Sequence, residues 1–342
     1  MPPNAQRMLC CGLNRSRAAL GDRMRSIILL LGLIVLAGPG SAEERIWRLG
    51  VLTPFDWPAD ATMHSVMIPE LARRGFVEGR NLVVLPRWGG NVGSEQLARL
   101  AQDLATAKPD VIIAVSPRAI TAAMTAAPKT PIVASFTTDP VAEGEAASMS
   151  KPGGEVTGIA MLASEGDKKR IELLHDAMPG AHKFAFIADE DGIKRKDEYT
   201  RAAENIGVEI VSFEAKSPAD YQSIFDTIHN AGVGGIVIQS SPVFHRDAVQ
   251  LASLALERHL PTICEWRAMA SDGCLIGYGP DLAELRLRTA DFVVRIFSGG
   301  NPAEMPFEQP TRFEMAINNK VARTLGVTVP PSVFVRADEV IE

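Results

Sequence analysis

The 342-residue chain has little of what most enzyme classes need. It has no glycine-rich phosphate loop, no recognisable nucleophile motif and no pair of histidines at metal-ligand spacing. Its six histidines are scattered, and its four cysteines form no paired ligand motif. These absences argue against phosphoryl transfer, dinucleotide chemistry and metal-centred hydrolysis. We therefore expect no cofactor, no metal site and no enzymatic activity.

Long apolar runs are also missing, apart from one near the N-terminus that is too short to span a bilayer comfortably. Residues 27–37 form that apolar run, with small residues at 40–42 beyond it. The basic residues that precede it are Arg15, Arg17, Arg23 and Arg25. This pattern predicts that residues 1–42 are a cleavable signal peptide and that the mature protein is periplasmic. An uncleaved membrane anchor is the alternative.

The balance of charge is acidic. The formal net charge is −6, and residues 1–42 contain five Arg and one Asp, so removing them changes it to −10. A clearly acidic mature protein argues against nucleic acid as a partner.

Two cysteines, Cys264 and Cys274, remain after the predicted leader. In an oxidising compartment they could form a disulfide. Two buried free thiols are the alternative, because a spacing of ten residues does not establish the geometry that a disulfide requires.

Apolar β-branched segments alternate with helical patterns along the chain, and the pattern restarts near residue 166. One such unit runs from the strand at 111–115 to the strand at 132–136, and we predict a helix at 142–149 after it. The fold class is thus α/β, with two doubly wound Rossmann-like lobes. With 46% hydrophobic residues, the chain is long enough for two real cores. The tail beyond 282 is too short for a third domain and must pack back on the lobes.

Polar and aromatic side chains follow several of the predicted strands, at the edge where open α/β sheets bind ligands. The candidate ligand-binding residues are Thr53, Ser116, Thr137, Thr138, Asp189, Ser240, Ser241, Glu265 and Trp266. Hydroxyls at helix N-termini favour an anion, whereas Glu265 could accept an ammonium group and Trp266 could cover an apolar part of the ligand.

Each candidate also has a plainer structural interpretation. Ser116 and Asp139 could be simple helix N-caps, and Asp139 is better explained as a cap. Glu265 could form a surface ion pair with Arg267 or Arg258. Asp189 begins an acidic segment that is predicted to be a turn, since the remaining ligand spacing of a calcium hand is missing.

The basic groups 168–170 and 194–196 are predicted to be solvated helix faces. Two aromatic residues, Phe55 and Trp57, follow the first strand. They could form a stacking surface or fold under the loop as a small cluster.

Several segments spread over the mature chain carry a resemblance to a known family. They are 74–81 (RGFVEGRN), 152–158 (PGGEVTG), 278–281 (YGPD), 298–302 (SGGNP), 309–314 (QPTRFE), 325–331 (LGVTVPP) and 336–341 (RADEVI). In these segments the chain resembles the substrate-binding proteins of ABC transporters, and more narrowly the tryptophan- and tyrosine-binding type.

The resemblance implies the type I periplasmic-binding-protein fold, in which three crossing segments join two lobes. We expect crossings near Gly158, Gly279 and 305–306. Lobe 1 would then contain 46–158 and 281–305, and lobe 2 would contain 159–280 and 306–342. The implied partners are a small-molecule ligand and an inner-membrane permease with its ATPase, and the protein is expected to be monomeric.

The implied function is to capture a small organic solute, an aromatic amino acid or a related carboxylate, and to deliver it to the permease. The chain departs from the family at the aromatic residues after its first strand and at 267–269, where many members have Arg-Glu-Phe. The ligand therefore cannot be copied from the family. One alternative is a receptor subunit that presents its ligand to a membrane sensor. Another is an exported α/β enzyme with Cys264 or Cys274 as nucleophile.

Overall fold

The computed structural model describes residues 45–54, 62–89 and 93–342. The predicted signal peptide and the aromatic residues Phe55 and Trp57 lie outside the described residues. The described chain contains two α/β lobes, each built on its own sheet, which confirms the predicted fold class.

The first sheet has five parallel strands in the order β2-β1-β3-β4-β5. They are Trp47–Thr53 (β1), Leu82–Trp88 (β2), Val111–Val115 (β3), Ile132–Phe136 (β4) and Val156–Ala160 (β5). Every residue of β3, β4 and β5 is buried. Strands that are covered on both faces favour continuous apolar runs. The sequence supplies such a run in β3 and, apart from Ser135, in β4.

The second sheet has seven strands in the order β12-β11-β10-β9-β8-β6-β7. They are Lys183–Ala188 (β6), Glu209–Glu214 (β7), Ile236–Ile238 (β8), Thr262–Cys264 (β9), Ile276–Pro280 (β10), Phe313–Asn318 (β11) and Glu339–Ile341 (β12). Strands β10 and β11 pair antiparallel, and the other neighbours pair parallel.

Helices connect these strands. They are Ile68–Arg73 (α1, after a π-helical turn Met63–Met67), Ser94–Thr106 (α2), Pro117–Ala126 (α3), Ala163–Ala177 (α4), Glu190–Ile193 (α5), Lys196–Glu204 (α6), Tyr221–Asn230 (α7), Pro242–Arg246 (α8), Ala248–Glu257 (α9), Arg267–Ser271 (α10), Leu282–Phe297 (α11), Asn319–Leu325 (α12) and Pro331–Phe334 (α13). Within the described residues, no helix has the length and hydropathy that a membrane span requires.

Helix α11 packs on the first sheet although it follows β10 of the second. Its Phe297 ring lies 4.5 Å from the ring of Trp47 in β1 and 5.0 Å from that of Phe76. Strands β11 and β12 then extend the second sheet. The tail thus packs back on both lobes, because its apolar helix face and short strands have no other core to join.

Three segments of the described chain cross between the lobes. Residues 161–162 join β5 to α4, Asp281 joins β10 to α11, and residues 309–312 lead to β11. The first two lie within a few residues of the predicted positions.

The third crossing lies later than the predicted position near 305–306. Glu308 still pairs with Ile159 of β5, and Phe307 packs edge-on against Phe136, with ring centroids 5.5 Å apart. Burial of the Phe307 ring in the first core therefore delays the crossing.

The predicted helix at 142–149 is wrong, since the structure has turns there. Asp139 Oδ1 accepts from the amides of Val141 (2.8 Å) and Ala142 (3.4 Å) and so closes a turn. Gly144 then adopts a positive φ of 76°, which does not continue a helix. Asp139 is thus a cap, as the plainer interpretation holds, although it caps a turn.

Candidate functional site

Two adjoining cavities lie where the carboxyl ends of the two sheets face each other. The Ser116 cavity, about 560 Å³, is lined by Ser116 and Thr138 from the first lobe and by Asp189 and Ser241 from the second. The Glu265 cavity, about 320 Å³, is lined by Glu265 and Trp266, among others. Thr137, Ser240 and Pro242 line both cavities, so the two volumes meet there.

Eight of the nine candidate residues therefore lie together. Thr53 is the exception, because it is buried at the end of β1 (2% exposed) and is not among the described residues that line either cavity. The carboxyl edges of parallel strands meet at one side of a sheet, which is why strand ends far apart in sequence converge.

Ser116 begins helix α3 in an unusual backbone conformation. Its φ is 95°, a region that non-glycine residues rarely adopt and that costs about 1–3 kcal/mol. Its Oγ accepts from the amide of Ala119 at 3.3 Å. Ser116 is thus an N-cap that also lines the cavity, so the two interpretations hold at once.

The hydroxyl of Thr138 has no hydrogen-bond partner among the residues that the structure describes. Its Oγ1 is a buried atom with no hydrogen bond within the described part of the protein, and the residue lines the Ser116 cavity. A buried hydroxyl that lacks a partner costs about 1–3 kcal/mol. Arg195 Nε on the opposite wall is also buried without a partner among the described residues.

Asp189 has little capacity left for a ligand. Its Oδ1 accepts from the amides of Asp191 (3.1 Å) and Gly192 (2.9 Å), and its Oδ2 accepts from Ser241 Oγ at 2.7 Å. The acidic segment 189–192 is consequently a capped helical turn. Asp189 holds Ser241 at the cavity wall instead of presenting a free carboxylate.

Glu265 and Trp266 follow β9 and line the smaller cavity. Glu265 is 6% exposed, and Ser240 Oγ donates to its Oε1. The predicted alternative, a surface ion pair, is wrong. Arg267 instead pairs with Glu314 at 3.4 Å, and Arg258 pairs with Asp226 at 2.6 Å.

Burial raises the pKa of Glu265 to about 7, even though Arg170 and the hydrogen bond from Ser240 act in the opposite direction. Near neutral pH this carboxyl group therefore exists in both protonation states. Apolar side chains complete the wall around it: Val115, Met161, Pro242, Val249, Leu282 and Leu285.

A buried charge network lies beneath this wall. Asp167 Oδ1 accepts from the amide of Ser240 at 2.9 Å and pairs with Arg170, and Asp167 Oδ2 accepts from Tyr199 Oη at 3.1 Å. Asp167 and Arg170 are 0% and 1% exposed. The prediction that 168–170 is a solvated face is therefore wrong for Arg170, which turns inward to donate to the carbonyl of Tyr278 at 3.0 Å.

The sequence of most of this chain matches one family. The model of the ABC transporter substrate-binding proteins matches residues 50–341. The chain belongs to this family.

Two kinds of relatives support the assignment. A tyrosine-binding protein of Clostridioides difficile (strain R20291) is 24% identical over 289 residues, which cover 82% of this chain and 81% of that protein. A domain from Streptococcus pneumonia, solved in complex with L-Trp, shares the fold with a TM-score of 0.78 and 21% identity. A conserved domain protein from Vibrio cholerae shares the fold with a TM-score of 0.80 and 21% sequence identity. Both alignments cover 86% of this chain and the whole of the other.

In this substrate-binding protein one cysteine of a buried disulfide directly precedes two cavity residues, Glu265 and Trp266, in the sequence. Cys264 and Cys274 are bridged, with Cα atoms 6.4 Å apart. The bridge ties the last residue of β9 to Cys274, two residues before β10. It thereby closes the segment 265–273, which carries Glu265, Trp266 and helix α10.

Sequence reasoning missed several cavity residues of this substrate-binding protein. His245, Arg246, Asp272 and Arg286 line the Glu265 cavity. Arg286 lies beside the apolar face of α11 that the helical spacing identified, yet a cation there gives no local signal of burial. His245 and Arg246 lie on the short helix α8, and Asp272 directly follows the short helix α10. The orientation of these helices depends on the lobe as a whole.

Proposed function

We propose that this protein captures an aromatic amino acid, or a related aromatic carboxylate, between its lobes. We further propose that it delivers this solute outside the cytoplasmic membrane to a permease that a separate ATPase drives. The observation that supports the proposal most directly is that the two lobes line the joined cavities with different chemical groups. Hydroxyls of the first lobe face an indole ring and a buried carboxylate of the second across joined cavities.

The first lobe supplies donors for a carboxylate. Ser116 combines its hydroxyl with the N-terminal amides of α3, and the hydroxyl of Thr138 has no partner among the described residues. Amides and hydroxyls at a helix N-terminus favour an anion. The strained backbone of Ser116 agrees with a ligand-binding position, because such strain concentrates at binding sites.

The second lobe supplies an apolar surface. Trp266 is 7% exposed and lines the Glu265 cavity, which Val115 of the first lobe and Met161 also line. Ligand pockets of about 300–1,000 Å³ with mainly apolar walls and a few polar groups suit small organic ligands. The two relatives whose names mention tyrosine and L-Trp support an aromatic side chain in this position.

The proposal is tested by a ligand screen on the purified protein. We expect L-tryptophan or L-tyrosine to raise the melting temperature saturably, since a ligand present at 1,000 times its Kd adds about 4 kcal/mol to the stability. Aliphatic and acidic amino acids and free sugars serve as controls. Stabilisation by a sugar, with none by an aromatic amino acid or acid, would contradict the proposal. Cellular uptake of the labelled ligand, lost on gene deletion, checks the delivery step.

The Thr138→Val variant separates ligand binding from folding. Valine replaces a buried hydroxyl that has no partner in the described structure, so the ligand-free protein should keep or slightly gain stability. A hydrogen bond to a charged ligand group is worth about 1.5–3 kcal/mol, so the Kd should rise by about 10- to 100-fold. Calorimetry measures the Kd, and thermal unfolding measures the stability. An unchanged Kd would remove Thr138 from the site.

A further inference from the structure

We propose that Glu265 selects ligands that carry a cationic amino group. In the empty site a proton neutralises the carboxyl group, and in the complex the ammonium group of the ligand compensates the charge of the ionised carboxylate instead. The proposal rests on the proposed function and names the part of the ligand that the second lobe recognises. It concerns a carboxyl group on a cavity wall whose hydrogen-bonding capacity is only partly used.

Within the described structure, Ser240 is the hydrogen-bond partner of Glu265, and it uses Oε1. The side chain is almost fully buried and lines the cavity. A carboxylate with two oxygens can accept about four hydrogen bonds. Unused acceptor sites on a cavity wall are therefore available to an ammonium group.

Among the described residues, Arg170 is the cation that lowers the pKa of Glu265. It is already paired with Asp167. Arg246 forms two bonds with Asp247, at 2.6 and 2.7 Å. If Glu265 ionises, the cluster of Asp167, Arg170 and Glu265 carries one uncompensated negative charge.

The charged and titratable groups around Glu265 come from four places in the fold. They are Asp167 and Arg170 on α4, His245 and Arg246 on α8, Asp272 after α10 and Arg286 on α11. Burial also raises the pKa of Asp272, which His245 partly opposes. Burial thus disfavours the ionised form of a second carboxyl group on the same cavity wall.

Contacts from two neighbouring segments fix the position of Glu265. Asp167 fixes the Ser240 amide, and Ser240 in turn donates to Glu265. On the other side, a Cβ added to Gly279 would lie 2.0 Å from the carbonyl oxygen of Glu265. Strand β10 thus approaches so closely that only glycine fits, and Asp167 and Gly279 act as positioning residues for the carboxyl group.

The Glu265→Gln variant tests the proposal, because glutamine keeps the shape and removes the charge. The probes are L-tryptophan, tryptamine, which lacks the carboxylate, and indole-3-propionate, which lacks the amine, with the corresponding tyrosine series. For amine-bearing probes we expect at least a tenfold rise in Kd. For the deaminated acid the Kd should stay the same or fall. Glu172→Gln is the control, because Glu172 forms an exposed pair with Lys169. It should leave the Kd of both kinds of probe unchanged.

The pH profile gives a readout that a merely structural role would not produce. Because the ligand needs the ionised carboxylate, the Kd of an amine probe in the unaltered protein should rise up to tenfold per pH unit below about pH 7. Above pH 7 it should level off. The Glu265→Gln variant should lose this slope. Histidine also titrates in this range, but His245 is present in both proteins and cancels in the comparison.

The outcomes separate this proposal from the proposed function. If indole-3-propionate binds as tightly as L-tryptophan and the variant has no effect, the function stands and the role of Glu265 is overturned. If tryptamine binds through Glu265 while aromatic amino acids and acids do not bind, Glu265 stands and the proposed ligand class is overturned. If no probe binds, both are overturned.

Discussion

Arg170→Met is expected to destabilise the protein by about 3–5 kcal/mol, the usual cost of removing one partner of a buried ion pair. Arg170 is 1% exposed, pairs with Asp167 and donates to the Tyr278 carbonyl at 3.0 Å. Among the described contacts, the substitution leaves the buried Asp167 carboxylate with two hydrogen bonds and without its directly paired cation. It also leaves the Tyr278 carbonyl without this donor, next to the second crossing between the lobes.

Urea unfolding followed by tryptophan fluorescence measures this effect. Lys169→Met is the matched control on the same helix, because Lys169 forms an exposed pair with Glu172 that should be worth less than about 1 kcal/mol. Adding Asp167→Asn to the Arg170 variant should recover part of the loss, since asparagine removes the buried charge but keeps an acceptor for Ser240. If Arg170→Met lowers the free energy of unfolding by less than about 1 kcal/mol, the buried network does not depend on Arg170 for its stability.

Glu265→Gln is expected to stabilise the ligand-free protein above neutral pH by about 4 kcal/mol, since each unit of pKa difference is worth about 1.4 kcal/mol. The pKa of Glu265 is about 7 in the folded protein, against about 4.3 in an unfolded chain. The folded state thus holds its proton more tightly than the unfolded state. Stability should fall as the pH rises from about 4 to 7 and then level off. Glutamine removes this loss because it has no proton to lose.

Thermal or urea unfolding of both proteins at pH 4, 6 and 8 checks the sign and the size. The stability difference should be near zero at pH 4, where both side chains are neutral, and largest at pH 8. If the difference in stability between the two proteins is equal at all three pH values, ionisation of Glu265 does not destabilise the ligand-free protein. A variant that is more stable and binds amines less well would show that the binding site lowers the stability of the fold.

The order of elements and most of the cleft were predictable from sequence. Apolar runs such as 111–115 and 132–136 identify strands buried on both faces, and the residues after them must lie at the carboxyl edge of a sheet. Ser116, Thr137, Thr138, Ser240, Ser241, Glu265 and Trp266 follow from this local rule and line the two cavities. Whether they bind the ligand stays a prediction.

The errors have a common physical cause. The helix predicted at 142–149 rested on composition, whereas the Asp139 turn and the conformation of Gly144 decide the backbone there. The third crossing was placed too early because the packing of Phe307 against Phe136 joins residues far apart in sequence. Neither outcome can be derived from periodicity in one short window.

The sequence by itself determined the fold class, the family and the residues at the strand ends, because these depend on local patterns. Only the tertiary structure decided how charge is distributed behind the cleft. It showed that Arg170 turns inward to Asp167, that Glu265 bonds to Ser240 and not to a surface arginine, and that Cys264 and Cys274 are bridged. The partners of the two charged groups lie on other elements of the lobe. Burial and pairing of this kind arise only when those elements pack.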